Sequence, residues 1–237
     1  TAPTIASFSS TSNGAFKGGQ TVNVTATANE AIQSGNTITA TLNTGGTVTL
    51  TAASAGTTLS GTYTVQAGDN VAAMSVSSFT LGTIADAAGN AMTSTTVPAT
   101  NIDTAKTIVI DTVAPTVTSF SSTTAAGTYK AGDAVNVTAT TSEPIKSGNT
   151  LTVTLNTTPA RTVGLTAASD GTTLSGTYTV QAGDNVAALS VASFTIGTVT
   201  DVATNAMTST SVPVGVNNIA GTKTTVIDTT APTVTSF

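Results

Sequence analysis

The chain has 237 residues, of which 39% are hydrophobic and 7% charged, with six basic and eleven acidic residues and a net charge of −5. This acidic balance argues against nucleic-acid partners, and no apolar run approaches the ~20 residues that a membrane-spanning helix needs, so we expect no membrane insertion. The absence of Cys and His removes disulfides, thiolate metal sites and the commonest general base, and we expect no enzymatic activity.

Taken in chain order, the apolar residues alternate with polar ones. After the opening APTIASF (Ala2–Phe8), the stretch TVNVTATA places Val22, Val24 and Ala26 on one side and Thr and Asn on the other. TITATL, TVTL, GTYTV and KTIVI alternate in the same way, and clusters such as SGN, NTGG, AGDN and DAAGN separate them. This pattern predicts short strands joined by turns, about seven or eight of them before the pattern starts again.

The second half of the chain repeats the first. APTIASF at Ala2 returns as APTVTSF at Ala114 and Ala231, at spacings of 112 and 117 residues. VNVTAT, TLSGTYTVQAGDNVAA and NAMTST also occur twice in the same order. A period of this length suits a complete domain rather than a solenoid unit. We therefore predict modules at 1–112 and 113–229, with 230–237 as the first strand of a truncated third module.

Many short strands at regular spacing predict an all-β fold of two tandem β-sandwiches, for which an immunoglobulin-like Greek-key topology is the natural interpretation. The ordered motifs APTVTSF, KAGD, SEP, GDN, D-x-x-x-N and VIDTTAP resemble those of the bacterial immunoglobulin-like repeats in large secreted adhesins and cell-surface proteins. The resemblance covers essentially the whole chain. It implies an extracellular or surface-anchored extender, often calcium-loaded at the joints between modules.

The few acids fall into a pattern. In a sandwich of this kind, three acids share the entry pole of the second module: Asp111 from the linker, Glu143 from SEP in the loop between the second and third strands, and Asp201 from the DVATN loop. Asp69 approaches from a loop of the first module. Carboxylates with backbone carbonyls suit Ca²⁺, which takes six to eight oxygen ligands. The alternative is that these residues are solvated and serve turn chemistry. The resemblance favours calcium at the joint.

The corresponding acids of the first module are Glu30 and Asp86, but no linker acid precedes them in the sequence. We expect that site to be weak or empty. Asp228 is the linker acid of the third module, whose loops are missing, and should likewise bind poorly. The repeated ending is expected to reflect a longer array that was cut or that continues beyond this stretch.

The aromatic residues occur in matched positions of the repeat, which predicts core packing rather than an exposed carbohydrate platform: Phe8 with Phe120 and Phe237, Phe16 with Tyr129, Tyr63 with Tyr178, and Phe79 with Phe194. No serine nucleophile with a base and no phosphate-binding glycine motif is present. Thr-x-Thr pairs raise ice binding as a further possibility, although Thr is also a favoured strand residue.

These observations predict a structural extender segment of an adhesin-like protein, stiffened by calcium, with neighbouring modules of the same chain as partners. One alternative is a segment or subunit of a self-assembling surface layer or filament, in which the final APTVTSF pairs with a neighbouring chain. A second alternative is a β-sandwich module that binds carbohydrate or ice.

Overall fold

Strands make up nearly all of the regular structure in residues 1–235, the part of the chain that the computed structural model describes. The chain divides into two compact units, Thr1–Val113 and Ala114–Phe237. In each, mostly antiparallel strands enclose an apolar core in a sandwich-like arrangement. The α-helices described in these residues have four residues each, far too few to traverse a lipid bilayer.

The first unit contains one large antiparallel sheet and a short parallel pair. Its described elements are β1 (Ile5–Ser9), β2 (Gly14–Phe16), β3 (Thr21–Ile32), β4 (Thr37–Leu42), β5 (Thr47–Thr51), β6 (Gly56–Thr64), β7 (Val76–Leu81), α1 (Ile102–Ala105) and β8 (Ile108–Ile110). The six-stranded sheet has the order β1-β3-β6-β5-β4-β7, and β2 pairs in parallel with β8. Asn101 caps α1 by accepting from the Ile102 amide.

The second unit follows the same plan. Its described elements are β9 (Val117–Ser121), β10 (Gly127–Tyr129), β11 (Ala134–Ile145), β12 (Thr150–Leu155), β13 (Arg161–Thr166), β14 (Gly171–Thr179), β15 (Asn185–Val186), β16 (Val191–Thr198), a 3₁₀-helix (Gly215–Asn217), α2 (Ile219–Thr222) and β17 (Thr225–Asp228). Its large sheet has the order β16-β12-β13-β14-β11-β9, the first unit's order read from the other edge. β10 pairs in parallel with β17, as β2 does with β8.

The alternation seen in the sequence determines which side chains are buried. β3 and β11 have the same pattern over twelve residues, with every second residue buried up to the last third of the strand. β6 and β14 carry the identical nine-residue sequence GTTLSGTYT. Phe237 lies outside the described residues, and the other matched aromatic residues lie in or against the cores, as predicted. Phe8–Phe79 and Phe120–Phe194 each meet edge-to-face with ring centroids 5.6 Å apart.

Three details differ from the predicted elements. The described part of the second unit has a ninth strand, β15, whose counterpart in the first unit is the single bridge Val71–Ile110. Glu30 and Glu143, expected in loops, lie within β3 and β11, because both strands continue past a register shift. Residues 229–235 form no strand, while Ser236 and Phe237, the end of the predicted third module, lie outside the described residues.

Candidate functional site

Two aspartates organise the D-x-x-x-N loops. In the first unit the Asp86 carboxylate accepts hydrogen bonds from the Ala88 amide at 2.9 Å, the Asn90 amide at 2.8 Å and the Asn90 side chain at 2.7 Å. In the second unit Asp201 accepts from the Asn205 amide at 2.8 Å and the Asn205 side chain at 2.7 Å. Both aspartates are buried. The loops are therefore built around a carboxylate, as turn chemistry with Asp and Asn predicts.

The hydrogen bonds affect the ionisation of Asp86. The Asn90 side chain, followed by the Asn90 backbone amide, holds the pKa of the Asp86 carboxyl below its ordinary value, and burial only partly opposes this. The carboxylate is thus the stable form near neutral pH. A carboxylate must be charged in this way to bind a metal ion, but in this structure the Asp86 carboxylate serves mainly to hold its loop together through hydrogen bonds.

Glu143 lies next to Asp201 within the second unit. The end of β11 meets the D-x-x-x-N loop through the bridge Ile145–Asp201, just as Ile32–Asp86 joins the end of β3 to the first loop. This pairing brings carboxylate oxygens of Glu143 and Asp201 within 4.8 Å of each other. Glu143 is half-buried and Asp201 is buried, so the structure brings together two of the acids that the sequence assigns to a metal site.

Asp111 follows β8 at the end of the first unit. Its backbone amide donates to the Phe16 carbonyl at 3.0 Å, and its carboxylate accepts from the Val113 amide at 3.0 Å. Asp228 occupies the matching place after β17, where its carboxylate accepts from the Thr230 amide at 2.9 Å. Both linker acids thus stabilise the turn by which the chain leaves a unit.

Glu30 and Asp69, the remaining predicted ligands, have partners inside the first unit. A Glu30 carboxylate oxygen accepts a hydrogen bond from the Thr1 hydroxyl at 3.3 Å. Asp69 accepts from the Tyr63 hydroxyl and, at 2.7 Å, from the Gln66 amide. Burial of the phenol, together with the hydrogen bond to Asp69, raises the pKa of Tyr63. The structure therefore places Asp69 in a tyrosine–aspartate contact.

The second unit contains a stronger version of this contact, which sequence reasoning missed. Asp184, the counterpart of Asp69, is fully buried and accepts from the Tyr178 hydroxyl, from the Gln181 amide at 2.9 Å and from Arg161 Nε at 2.7 Å. Burial opposes its ionisation, but these three donors outweigh burial and hold the pKa of the Asp184 carboxyl below its ordinary value. Burial, aided by the bond to Asp184, raises the pKa of Tyr178.

One signal in the sequence could have indicated this network. Arg161 is the only arginine of the chain, and it follows a two-residue insertion, Thr158 and Pro159, relative to the first repeat. A unique cation at a place where two otherwise similar copies differ marks a local specialisation. The sequence separation of 23 residues between Arg161 and Asp184 hid their pairing.

The sequence matches no protein-family model and no curated protein.

Proposed function

We propose that the chain is a structural extender: two immunoglobulin-like Greek-key sandwiches in tandem, part of a bacterial protein that is secreted or anchored at the cell surface. Two units with the same strand order, a repeated sequence and few charged side chains support this role. The resemblance to adhesin repeats supports the extracellular setting.

We further propose that Asp111, Glu143 and Asp201 bind Ca²⁺ at the junction and stiffen it. The observation that carries this proposal is the approach of the Glu143 and Asp201 carboxylates to within 4.8 Å in the second unit. Two like charges this close repel one another unless a cation or a proton intervenes. Asp111 lies three residues before Ala114, the first residue of that unit, so the covalent chain supplies a third carboxylate nearby. An all-oxygen donor set suits Ca²⁺ better than softer metals.

The test is thermal unfolding of the wild type and of Glu143→Gln in ~5 mM calcium and in chelator. A site with a Kd of ~0.1 mM would stabilise the binding unit by about 2.3 kcal/mol, which raises its Tm by several degrees. Glu143→Gln should remove most of that shift. Glu30→Gln is the matched control, because no counterpart of Asp111 precedes Glu30 in this sequence, and it should leave the shift unchanged.

Equal melting curves in calcium and in chelator would reject the metal site. Stiffening needs its own measurement, since a metal could bind without altering the junction. Small-angle scattering should give different maximum dimensions in calcium and in chelator. If the scattering curves coincide while calcium still raises the Tm, the site is structural and the stiffening proposal fails.

A further inference from the structure

The second unit has a polar groove that the extender role does not use. It encloses about 370 Å³ beside β13 and β14, and Arg161, Thr162, Thr177, Thr179 and Gln181 line it. The volume lies within the range of about 300 to 1,000 Å³ that is usual for small-molecule sites. Of these residues only Arg161 is charged, so the groove presents one cation among neutral hydrogen-bonding groups.

Arg161 is held in a fixed orientation. Its Nε donates to Asp184 at 2.7 Å, and Asp184 has no exposed side-chain surface, whereas 27% of the Arg161 side chain is exposed. Asp184 is further satisfied by Tyr178 and the Gln181 amide. The bond through Nε leaves the two terminal guanidinium nitrogens for another acceptor. A guanidinium held in this way has little conformational freedom left to lose when a ligand binds.

Arg161 is not needed for the contact between Tyr178 and Asp184. In the first unit Asp69 accepts from Tyr63 and from the Gln66 amide in the same manner, yet the residue at the position of Arg161 is Gly46. A side chain at Gly46 would collide with the Tyr63 ring. The tyrosine–aspartate contact therefore forms without a cation, and the inserted loop with Arg161 adds something that the first unit lacks.

The remaining walls favour a ligand with hydroxyl groups. Thr162 on β13 and Thr177 and Thr179 on β14 are exposed, and Gln181 extends the same edge with an amide. A hydroxyl donates one hydrogen bond and accepts two, so such a surface can pair with sugar hydroxyls in either direction. The terminal nitrogens of Arg161 match the two oxygens of a carboxylate.

From this geometry we propose that the groove of the second unit binds an acidic monosaccharide unit, with its carboxylate on Arg161 and its hydroxyls on the threonines. The aromatic platform that many carbohydrate sites use is absent from this groove, where Tyr178 is buried. Recognition rests instead on charge and hydrogen bonds. The proposed site lies in one copy of the repeat and is independent of calcium.

The experiment is a titration of the ¹⁵N-labelled full chain with D-glucuronate, followed by amide chemical shifts. Shifts should saturate and be confined to residues near 160–162 and 177–184, with the first unit unaffected. D-glucose and acetate, tested separately, should bind at least tenfold more weakly, because each offers only one of the two recognised features. The difference corresponds to one charged or several neutral hydrogen bonds.

Two variants assign the contacts. Arg161→Gln should weaken glucuronate binding roughly tenfold or more, while Lys130→Gln, which removes the same charge at an exposed turn of the same unit, should not. If Arg161→Gln fails to fold, Thr177→Val removes only a groove hydroxyl and should weaken binding severalfold. Thr62→Val, the same change at the matching place in β6, is its control.

Any of four outcomes would overturn the proposal. Shifts spread over both units, or no saturable shifts with glucuronate, would show that the groove is not a binding site. Acetate binding as tightly as glucuronate would reduce it to an anion site without sugar recognition. Unchanged affinity in both Arg161→Gln and Thr177→Val would show that other residues bind the ligand.

Discussion

Single buried polar groups determine much of the residue-scale chemistry. Asp86, Asp184 and Asp201 are buried carboxylates that each accept several hydrogen bonds, so their burial is compensated. Thr225 is different: its side chain is fully buried, and its hydroxyl has no hydrogen-bond partner among the described residues. The first repeat has Ile108 at the matching place, which leaves no polar atom unsatisfied.

Thr225→Val should therefore stabilise the second unit. The substitution keeps the branched shape and removes a buried hydroxyl whose desolvation is not offset, a gain of about 1 kcal/mol. Chemical denaturation, followed through the amide signals of the second unit, measures this change in its free energy of unfolding. Thr224→Val, at the exposed neighbouring position, is the control and should change stability little. A midpoint that stays the same or falls in Thr225→Val would contradict this explanation.

The acid sensitivity of the second unit should depend on Asp184. Its folded pKa lies below its ordinary value of 3.8, so the unfolded chain takes up its proton first as the pH falls. The contribution is present above the ordinary value of 3.8 and is lost as the pH falls through the folded pKa. Asp184→Asn should be less stable at pH 7 and should lose less stability between pH 4 and pH 2. Denaturant midpoints across this range, read from β14 amide signals, test it; an unchanged acid dependence would refute it.

At the scale of elements, β13 and β14 approach one another closely. A side chain at Gly176 would overlap the backbone carbonyl oxygen of Gly164, and Gly61 in β6 meets the Thr49 carbonyl in the same way. Backbone cannot yield as a flexible side chain can. The register of β13 with β14 contains a single residue pair, Thr166–Ser175, and the close approach begins at the next residue of β14.

Gly176→Ala should destabilise the second unit by about 1 to 3 kcal/mol, the usual range for forced overpacking. Gly164→Ala is a matched control on the facing strand, because a Cβ there meets nothing within 4 Å. That variant should be neutral or slightly stabilising, since Ala restricts the unfolded chain more than Gly does. Comparison of thermal midpoints distinguishes the two, and equal effects would show that the close approach is not the cause.

Periodicity predicted most of the strands well because most of them have one buried face. Val22, Val24 and Ala26 are buried, as their alternation indicates. The same reasoning misplaced Glu143, because a register shift lets β11 continue through SEP, and periodicity does not reveal a bulge. Asp69 and Asp184 have the appearance of turn residues in sequence, and their tyrosine partners follow from tertiary packing. The local sequence pattern thus predicts which face of a strand is buried, while the hydrogen-bond partners of a side chain depend on the tertiary fold.

At the scale of the whole molecule, each unit has its own core. The buried cluster of the first unit lies between Ile5 and Ile110, and that of the second between Val117 and Ile227. Each unit exceeds the size below which disulfides or metals are usually needed for a stable fold. The division of the chain at Val113 therefore separates two complete cores.

Residues 1–113 and 114–237, produced separately, should each fold cooperatively. Circular dichroism and amide dispersion would show this, and a disordered half would contradict the division into independent cores. Separation should also abolish any calcium stabilisation, because Asp111 stays with one half while Glu143 and Asp201 stay with the other. A half that retains the full calcium shift would show that Asp111 is not needed for the site.

The identity of β6 and β14 has a consequence for folding kinetics. β3 and β11 pair with these strands along most of their length, and since both carry GTTLSGTYT, sequence alone does not distinguish the right partner from the wrong one. Two like units on one chain are at high effective concentration, which is the condition for misassembly between domains. During refolding of the full chain, β6 and β14 thus compete as partners of β3 and β11, a competition that is absent from 1–113 alone. Synthesis from the N-terminus lessens it, because the first unit can fold before β14 has been synthesised.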